Sequence, residues 1–251
     1  MRVAVAGATG KVGAHVVAEL GRGGYEVVRL SRTDGVDLTT GDGLADRLAG
    51  ADAVIDCLSV VTTRRRAAVS FFETTTRTLL DAERAAGVGH HVVLSIVGAD
   101  RVQYGYYEGK VAQERLVRES GRPYTILRAT QFHEFAEQLL ERFVIGRLAL
   151  VPRGRSAPVA ATEVATALVE LAADTPRAEH LELTGPGEHD LADMVQQLVA
   201  VRRLPTRAYG LRLPGAGARA MREGALLSEH PWRVGTQTYD EWLRERAVER
   251  A

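Results

Sequence analysis

The stretch Arg2-Val3-Ala4-Val5-Ala6-Gly7-Ala8-Thr9-Gly10-Lys11-Val12-Gly13 joins an apolar run to a glycine-rich loop. Its small and β-branched residues are typical of a buried parallel strand. In the G-x-x-G-x-x-G pattern, the first glycine permits a tight turn, the second admits a pyrophosphate and the third brings a helix close to the strand. A helix that begins near Gly10 points its unpaired N–H groups at the phosphates. The stretch therefore predicts a dinucleotide-binding βα unit, whereas a P-loop is excluded because no Gly-Lys-Ser/Thr follows. The predicted contacts are Gly7, Thr9, Gly10, Lys11, Val12 and Gly13.

Beyond this loop, apolar runs alternate with longer amphipathic stretches as far as about residue 130. The runs predict strands at Arg2–Ala6, Tyr25–Leu30, Ala53–Leu58, His91–Ile96 and Tyr124–Leu127. Helical patterns lie near 11–22, 42–49, 67–87 and 104–120. Since parallel crossovers are right-handed, this series predicts an α/β fold with a doubly wound parallel Rossmann-type sheet.

The alternation becomes irregular after about residue 130, which predicts a small C-terminal substrate lobe. We expect residues 1–145 to form the NAD(P)-binding Rossmann domain. Residues 146–251 should supply the remaining sheet strands and a mostly helical lobe that does not fold independently. In that lobe Arg153 and Arg155 flank Gly154, either as solvated loop charges or as contacts for an acidic substrate.

Composition narrows the classes of function. The 251 residues carry 32 basic and 32 acidic side chains, and this neutral balance argues against a nucleic-acid-binding protein. No apolar run approaches the ~18 residues of a membrane span. The single cysteine, Cys57, excludes an intrachain disulfide and a cysteine-rich metal site. We therefore expect a cytoplasmic protein with no metal, no nucleic acid and no membrane partner.

The end of the second strand bears on the choice of dinucleotide. An NAD enzyme usually carries an acid there, which accepts a bond from the ribose 2′-hydroxyl. This strand ends instead at Leu30-Ser31-Arg32. Arg32 and Ser31 can donate to a 2′-phosphate, so the sequence favours NADP(H) over NAD(H). The alternative is that Arg32 points into solvent.

A tyrosine and a lysine lie four residues apart after the fourth predicted strand. On a helix, Tyr106 and Lys110 share one face, and a nearby ammonium lowers the pKa of a phenol. Ser95, near the end of that strand, is placed to hold a substrate oxygen beside the phenol. Lys11 and Lys110 are also the only lysines among the 32 basic residues. The pattern predicts Ser95, Tyr106 and Lys110 as catalytic residues.

Together these segments resemble the short-chain dehydrogenase/reductase superfamily, and within it the atypical NmrA-like NAD(P)H-binding branch. The resemblance rests on the glycine loop, Asp37-Leu38, Val54–Ser59, Ser95–Gly98, the Tyr106–Lys110 segment and Arg128–His133. It implies that Asp37 and Leu38 lie at the adenine, that Cys57, Leu58 and Ser59 pass the ribose and pyrophosphate, and that Thr130, Gln131 and Phe132 border the nicotinamide. It also implies that Lys110 holds the nicotinamide ribose.

The leading expectation is an NADPH-dependent reductase of a carbonyl, quinone or enone-like small molecule. Tyr106 would supply the proton, with His133 as an alternative donor. A non-catalytic NAD(P)-sensing protein and an epimerase or dehydratase that uses the cofactor transiently stay open as alternatives. Neither the substrate nor the oligomeric state follows from the sequence, and a homodimer is possible.

Overall fold

The computed structural model describes residues 1–248, in which strands and helices alternate as far as α4. The strands are β1 (Arg2–Ala6), β2 (Glu26–Leu30), β3 (Ala53–Asp56), β4 (His90–Ile96), β5 (Tyr124–Ala129), β6 (Val144–Ile145), β7 (Leu148–Pro152), β8 (Arg155–Ser156), β9 (His180–Thr184), β10 (His189–Asp190), β11 (Arg207–Leu211) and β12 (Arg233–Val234). The helices are α1 (Lys11–Arg22), α2 (Leu44–Leu48), α3 (Arg65–Ala86), α4 (Gly105–Glu119), α5 (Phe135–Phe143), α6 (Ala161–Ala173), α7 (Leu191–Val201), α8 (Ala216–Arg222) and α9 (Tyr239–Val248). A short 3-10 helix covers Arg32–Asp34.

The main sheet has seven strands in the order β12-β9-β5-β4-β3-β1-β2. Its registers run parallel, as Val3 opposite Val27 and Ala4 opposite Val54 illustrate. The predicted doubly wound parallel sheet is confirmed. Because β1 lies between β2 and β3, the strand order reverses at β1 and β3, and ligands of such sheets bind outside the carboxyl ends of the strands at this switch point.

The chain forms two compact units that interleave along the sequence. The first contains Met1–Asp100, Tyr104–Arg128 and Ala161–Leu181. The second contains Arg101–Gln103, Ala129–Ala160 and the described residues from Glu182 onward. The division differs from the predicted boundary after residue 145, because α6 returns to the first unit.

The core of the first unit explains why its strands are so apolar. Val3, Ala4, Val5 and Ala6 of β1 are fully buried, as are Val54 and Ile55 of β3. Leu30, Leu44 and Leu79 join β2, α2 and α3 in one cluster on the sheet. Strands covered on both faces are mostly apolar, and the carboxyl ends of such strands are where ligands bind.

The second unit has a small sheet of its own, in the order β11-β7-β6. One face of this sheet packs on α5 and α7, where Ala149 and Val151 meet Leu139, Met194 and Leu198. Tyr239 and Trp242 of α9 complete that cluster, and their rings are stacked with centroids 5.6 Å apart. Over residues 1–248, no helix is long and apolar enough to cross a bilayer.

Candidate cofactor and active site

The glycine loop has the geometry that its spacing predicts. Gly7 has a φ of +74°, and a Cβ there would lie 2.9 Å from the Cys57 carbonyl oxygen. A Cβ at Gly13 would lie 2.1 Å from the Gly7 carbonyl oxygen. The third glycine therefore sets the close approach of α1 to the end of β1.

The amino end of α1 is open to an anion. Its N-cap is Gly10, which offers no capping side chain, and the first turn contains no acidic residue. The N–H groups of the first helical turn have no acceptor within the helix and carry its positive dipole end. This cradle fits a pyrophosphate. Thr9 and Lys11 are exposed beside it, whereas the Val12 side chain is 6% exposed and packs in the core.

The last residue of β3 and the residues that follow it close the other side of the loop. Asp56 is fully buried, and its Oδ1 accepts a 2.9 Å bond from the Leu58 N–H. The Cys57 thiol is also buried, and burial raises its pKa, with the Asp56 carboxylate acting in the same direction. Ser59 is exposed at the start of the loop that leads to α3. The chain of Cys57, Leu58 and Ser59 thus passes directly beside Gly7.

The end of β2 carries a carboxylate that the sequence argument overlooked. The Ser31 hydroxyl donates to Asp34 Oδ2 and lies 2.8 Å from the Thr33 hydroxyl. The Arg29 Nε lies 3.4 Å from the same carboxylate. These bonds, with that from Ser31 the largest contribution, lower the pKa of Asp34. Arg32 is exposed, and its guanidinium contacts no acceptor among the described residues.

The two residues assigned to the adenine differ in exposure. Asp37 is half-buried, and its Oδ1 accepts from the backbone N–H of Thr39 at 2.8 Å and from the Thr39 hydroxyl at 2.6 Å. Leu38 is 6% exposed and packs into the core beside Leu30. Its side chain therefore anchors the loop, and of the two only Asp37 offers a polar group at the surface.

Helix α4 carries the predicted tyrosine and lysine on one face, as their spacing requires. The Tyr106 ring meets the Phe72 ring edge-on at 5.8 Å, and the Lys110 Nζ lies 4.7 Å from the centre of the same ring. A Cβ at Gly105 would lie 2.5 Å from the Thr63 carbonyl oxygen, and one at Gly109 would lie 2.7 Å from the Phe72 ring. Both glycines therefore permit α4 to pack closely on α3.

The Tyr106 hydroxyl lies 2.8 Å from the Ser59 hydroxyl. The sequence predicted Ser95 as its neighbour, but the structure puts Ser59 there. Burial raises the pKa of Tyr106, and the bond with Ser59 lowers it only in part. The expectation that Lys110 lowers this pKa is wrong for the arrangement seen here, because the ammonium is directed elsewhere. The phenol is consequently protonated at neutral pH.

Lys110 belongs to a buried polar chain. It is 3% exposed, and its ammonium donates to Gln113 Oε1. Gln113 is fully buried and donates through Nε2 to Asp56 Oδ2 at 2.8 Å. Burial lowers the pKa of Lys110 to about 8, against the opposing effects of the Asp56, Glu114 and Cys57 side chains. The ammonium is thus held among polar groups but titrates close to physiological pH.

Ser95 lies on β4 beside a different network. It is 2% exposed, and its hydroxyl lies near the Glu114 carboxylate without forming a hydrogen bond of normal geometry. Arg128 donates to that carboxylate through Nε at 2.9 Å and Nη2 at 2.7 Å. Burial raises the pKa of Glu114, but Arg128, through its bonds and its charge, is the main cause of a net lowering. This cluster fixes α4 to β4 and β5.

The predicted nicotinamide segment lies in the second unit. Thr130 donates to the Ala157 carbonyl at 2.5 Å, and Gln131 accepts from the Ser156 hydroxyl at 3.1 Å. Phe132 is half-buried. His133 is fully buried against the Tyr239 and Trp242 rings, each 5.8 Å away between centroids. This burial argues for a packing role for His133 rather than for the alternative role of proton donor.

Three contacts at the candidate site were not predicted from the sequence. Asp56 and Gln113 meet across 57 positions, and Ser59 meets Tyr106 across 47. No pattern among neighbouring residues indicates that residues so far apart in the sequence will pair. The contact of Ser31 with Asp34 is local, because only three positions separate the two residues. Among residues 1–248 no group of three or more histidine, cysteine or acidic side chains could hold a metal ion.

Comparison with known proteins supplies independent findings. A family model described as NAD(P)H-binding matches residues 7–175. No curated protein matches the sequence.

Several solved structures share the fold. The NADPH-dependent quinone oxidoreductase of Escherichia coli, solved with NADPH, is 20% identical, with a TM-score of 0.70 over 97% of this chain and 99% of that one. The triphenylmethane reductase of Citrobacter sp. is 17% identical, with a TM-score of 0.73 over 99% and 100%. A short-chain dehydrogenase/reductase superfamily protein of Agrobacterium tumefaciens, solved with NAD, is 20% identical, with a TM-score of 0.70 over 100% and 97%. At these identities the likeness establishes the fold.

Proposed function

The chain belongs to the NAD(P)H-binding family, and from that premise we propose that it is an NAD(P)H-dependent reductase of a small carbonyl- or quinone-type molecule. The resemblance to the short-chain dehydrogenase/reductase superfamily is confirmed, since the family model and the shared fold point to the same group. The reaction itself, its residues and its cofactor preference are the proposal.

One observation carries it: the Tyr106 hydroxyl on α4 bonds the hydroxyl of Ser59, which lies on the segment after β3 that packs against the glycine loop. Ser59 follows Cys57 by two residues, and the Cys57 carbonyl closes on Gly7. A protonated phenol therefore lies at the carboxyl edge of β1 and β3, where ligands of such sheets bind. Within the first unit, a proton donor and a phosphate cradle share one edge of the sheet.

The proton chemistry favours reduction. When bound, NAD(P)H supplies a hydride to the substrate carbon. Tyr106 Oη gives its proton to the carbonyl oxygen, so that the hydride and the proton together convert C=O to CH–OH. The Ser59 hydroxyl then stabilises the phenolate by donating to it. Because the pKa of Tyr106 is raised, the phenol starts in the acid form that a reduction needs.

Lys110 contributes to the proposed cofactor site rather than to the phenol. Its ammonium is fixed by Gln113 and, through Gln113, by Asp56. We propose that it holds the nicotinamide ribose when the cofactor is bound. Ser95, which the sequence placed at the substrate, is proposed to serve the Glu114 cluster instead.

We propose a preference for NADP(H), supported by the cations around the end of β2. Arg32 is exposed, while Arg29 and Arg47 both contact Asp34, whose backbone carbonyl accepts a 2.8 Å bond from Arg47 Nη2. This arrangement compensates the Asp34 carboxylate and leaves Arg32 available for a 2′-phosphate. Ser31 contributes less than expected, because its hydroxyl already donates to Asp34.

A second candidate is a non-catalytic NAD(P)H-sensing protein. The observation that favours it is the direction of the Lys110 ammonium, which donates to Gln113 and leaves no cation at the Tyr106 hydroxyl to stabilise a phenolate. Titration calorimetry with NADPH, followed by NADPH consumption with menadione and a panel of aldehydes, separates the two. We expect binding and substrate-dependent consumption. Tight binding with no consumption across the panel would support the sensor, and no binding would contradict both.

A further inference from the structure

The three-stranded sheet of the second unit has an apolar face that is open to solvent. The registers pair Ile145 with Leu148, Leu148 with Arg207, and Tyr209 with Leu150. Paired residues share a face, and this face is opposite the one that Ala149 and Val151 bury against α5 and α7. Ile145 is 70% exposed, Leu148 45% and Tyr209 48%. We call this set of side chains, together with Leu211 at 38% exposure, the open sheet face.

Exposed large hydrophobic side chains are concentrated on and around the open sheet face. The large hydrophobic residues that are exposed in the described chain number eleven, and seven of them lie on this sheet or on the segments that flank β11. The seven are Val144, Ile145, Leu148, Leu204, Tyr209, Leu211 and Leu213. Scattered single apolar residues are normal on a protein surface, whereas a contiguous group marks an interaction site.

The charges around the open sheet face have one sign. Residues 194–222 contain six arginines and no aspartate or glutamate, although the whole chain is neutral. Arg207 lies on the face itself, and Arg147 and Arg212 are exposed beside it. None of these three forms an ion pair with another described residue. The surface therefore offers apolar side chains beside three exposed arginines that form no ion pair with another described residue.

Two kinds of occupant fit this surface poorly. A second copy bound by the same face would bring arginines against arginines, with no carboxylate in the segment to pair with them. A peptide strand added to the edge of β11 would need its free N–H groups, but the Ala208 N–H already donates to Gln196 Oε1 at 2.9 Å. A flat anionic surface that accepts both apolar side chains and guanidinium groups fits better.

We propose that the open sheet face binds the surface of an anionic phospholipid bilayer. Ile145, Leu148 and Tyr209 enter the headgroup layer, while Arg207 and Arg212 contact lipid phosphates. This is peripheral contact and differs from a bilayer-spanning helix, of which residues 1–248 contain none. It is also independent of the proposed reductase activity, because it uses no residue of the cofactor or proton-donor site.

Co-sedimentation with vesicles tests the proposal on the full chain. We expect binding to phosphatidylcholine vesicles that contain about one third phosphatidylserine, no binding to pure phosphatidylcholine, and weakening by salt. An arginine near such a surface contributes about five-fold in affinity, so Arg207→Gln with Arg212→Gln should weaken binding about 25-fold. Ile145→Ser with Leu148→Ser should weaken it by roughly ten-fold or more. The matched control, Arg22→Gln with Arg244→Gln, removes the same charge from exposed positions on α1 and α9 and should bind like the parent.

Four results would overturn the assignment. The first is no binding to the anionic vesicles at low salt, and the second is an equal loss in the control pair. The third is a dimer in sedimentation velocity that Ile145→Ser with Leu148→Ser abolishes, because a second copy would then be the occupant. The fourth is binding of a polyglutamate peptide in place of vesicles, with loss in the same variants, which would assign the face to an acidic protein.

Discussion

Replacing Gln113 with leucine tests how the hydrogen bonds that join Lys110, Gln113 and Asp56 affect the pKa of Lys110. The substitution keeps the volume of a fully buried side chain, but it removes the acceptor of the ammonium and the donor to Asp56. A hydrogen bond to a charged group contributes about 1.5–3 kcal/mol, and one pKa unit corresponds to about 1.4 kcal/mol. Loss of the bond at Nζ should therefore lower the pKa of Lys110 from about 8 to roughly 6–7.

The chain offers an unusually clean assay, because Lys11 and Lys110 are its only lysines. Protein labelled with ¹³C at the lysine Cε gives two signals, which can be followed by NMR through a pH titration. The exposed Lys11 provides the internal reference. Gln138→Leu, at an exposed position of α5, is the matched control and should leave the Lys110 titration unchanged.

The same change should appear in catalysis. If the Lys110 ammonium is needed, the turnover of the parent falls as pH rises through about 8, and that of Gln113→Leu falls at lower pH. Should Gln113→Leu fail to fold, Asp56→Asn removes the carboxylate that raises the Lys110 pKa and should also shift the titration downward. A parent Lys110 that does not titrate near pH 8, or an unchanged titration in both variants, would refute the reasoning.

Three further predictions concern the glycine loop, the choice of cofactor and a buried ion pair. Gly13→Ala should lower the free energy of unfolding by about 1–3 kcal/mol and abolish NADPH binding, because the new Cβ would meet the Gly7 backbone. Gly21→Ala in the same helix, where no atom lies within 4 Å of the new Cβ, should instead stabilise the protein by roughly 0.5–1 kcal/mol. Urea unfolding measures both changes in stability. Arg32→Ala should weaken NADPH binding in calorimetry and leave NADH binding unchanged, and equal losses for both dinucleotides would contradict the 2′-phosphate contact. The fully buried Glu83 carboxylate lies 2.8 Å from His91 Nδ1, and although burial lowers the pKa of His91, Glu83 raises it more. The stability that this pair contributes is therefore complete below the pKa of histidine in the unfolded chain, about 6.5, and is lost as pH rises through the raised pKa of the folded protein. Glu83→Gln should consequently reduce the free energy of unfolding more at pH 6 than at pH 9. Equal reductions at the two pH values would count against the pair.

The parts of the molecule that follow from local rules could be predicted from the sequence. The loop from Gly7 to Gly13 is an example, because each glycine meets a steric demand set by neighbours a few residues away. The shared helix face of Tyr106 and Lys110 follows from their spacing in the same way. The alternation of apolar runs likewise predicted the parallel sheet, since strands that are buried on both faces are rich in apolar residues.

Contacts between distant segments could not be predicted in this way. The alternation of side chains along β4 assigns Ser95 to one face of the sheet. It does not show that this face lies beside Glu114 rather than beside the Tyr106 phenol. Whether the Lys110 ammonium points to Tyr106 or to Gln113 depends on the end of β3, which α4 meets only in the folded protein. The pKa of Tyr106 was mispredicted for the same reason, because burial by Phe72 and Tyr107 outweighs a charge that is directed elsewhere.

The measurement that tests the central claim most directly is single-turnover reduction by the preformed NADPH complex of Tyr106→Phe. Stopped-flow absorbance follows the oxidation of NADPH by menadione, and calorimetry gives the affinity for NADPH. If Tyr106 is the proton donor, the single-turnover rate falls by about 10²–10⁴-fold while the affinity for NADPH stays within a few-fold of the parent. A Tyr106→Phe protein that reduces menadione at the parental rate would contradict the account.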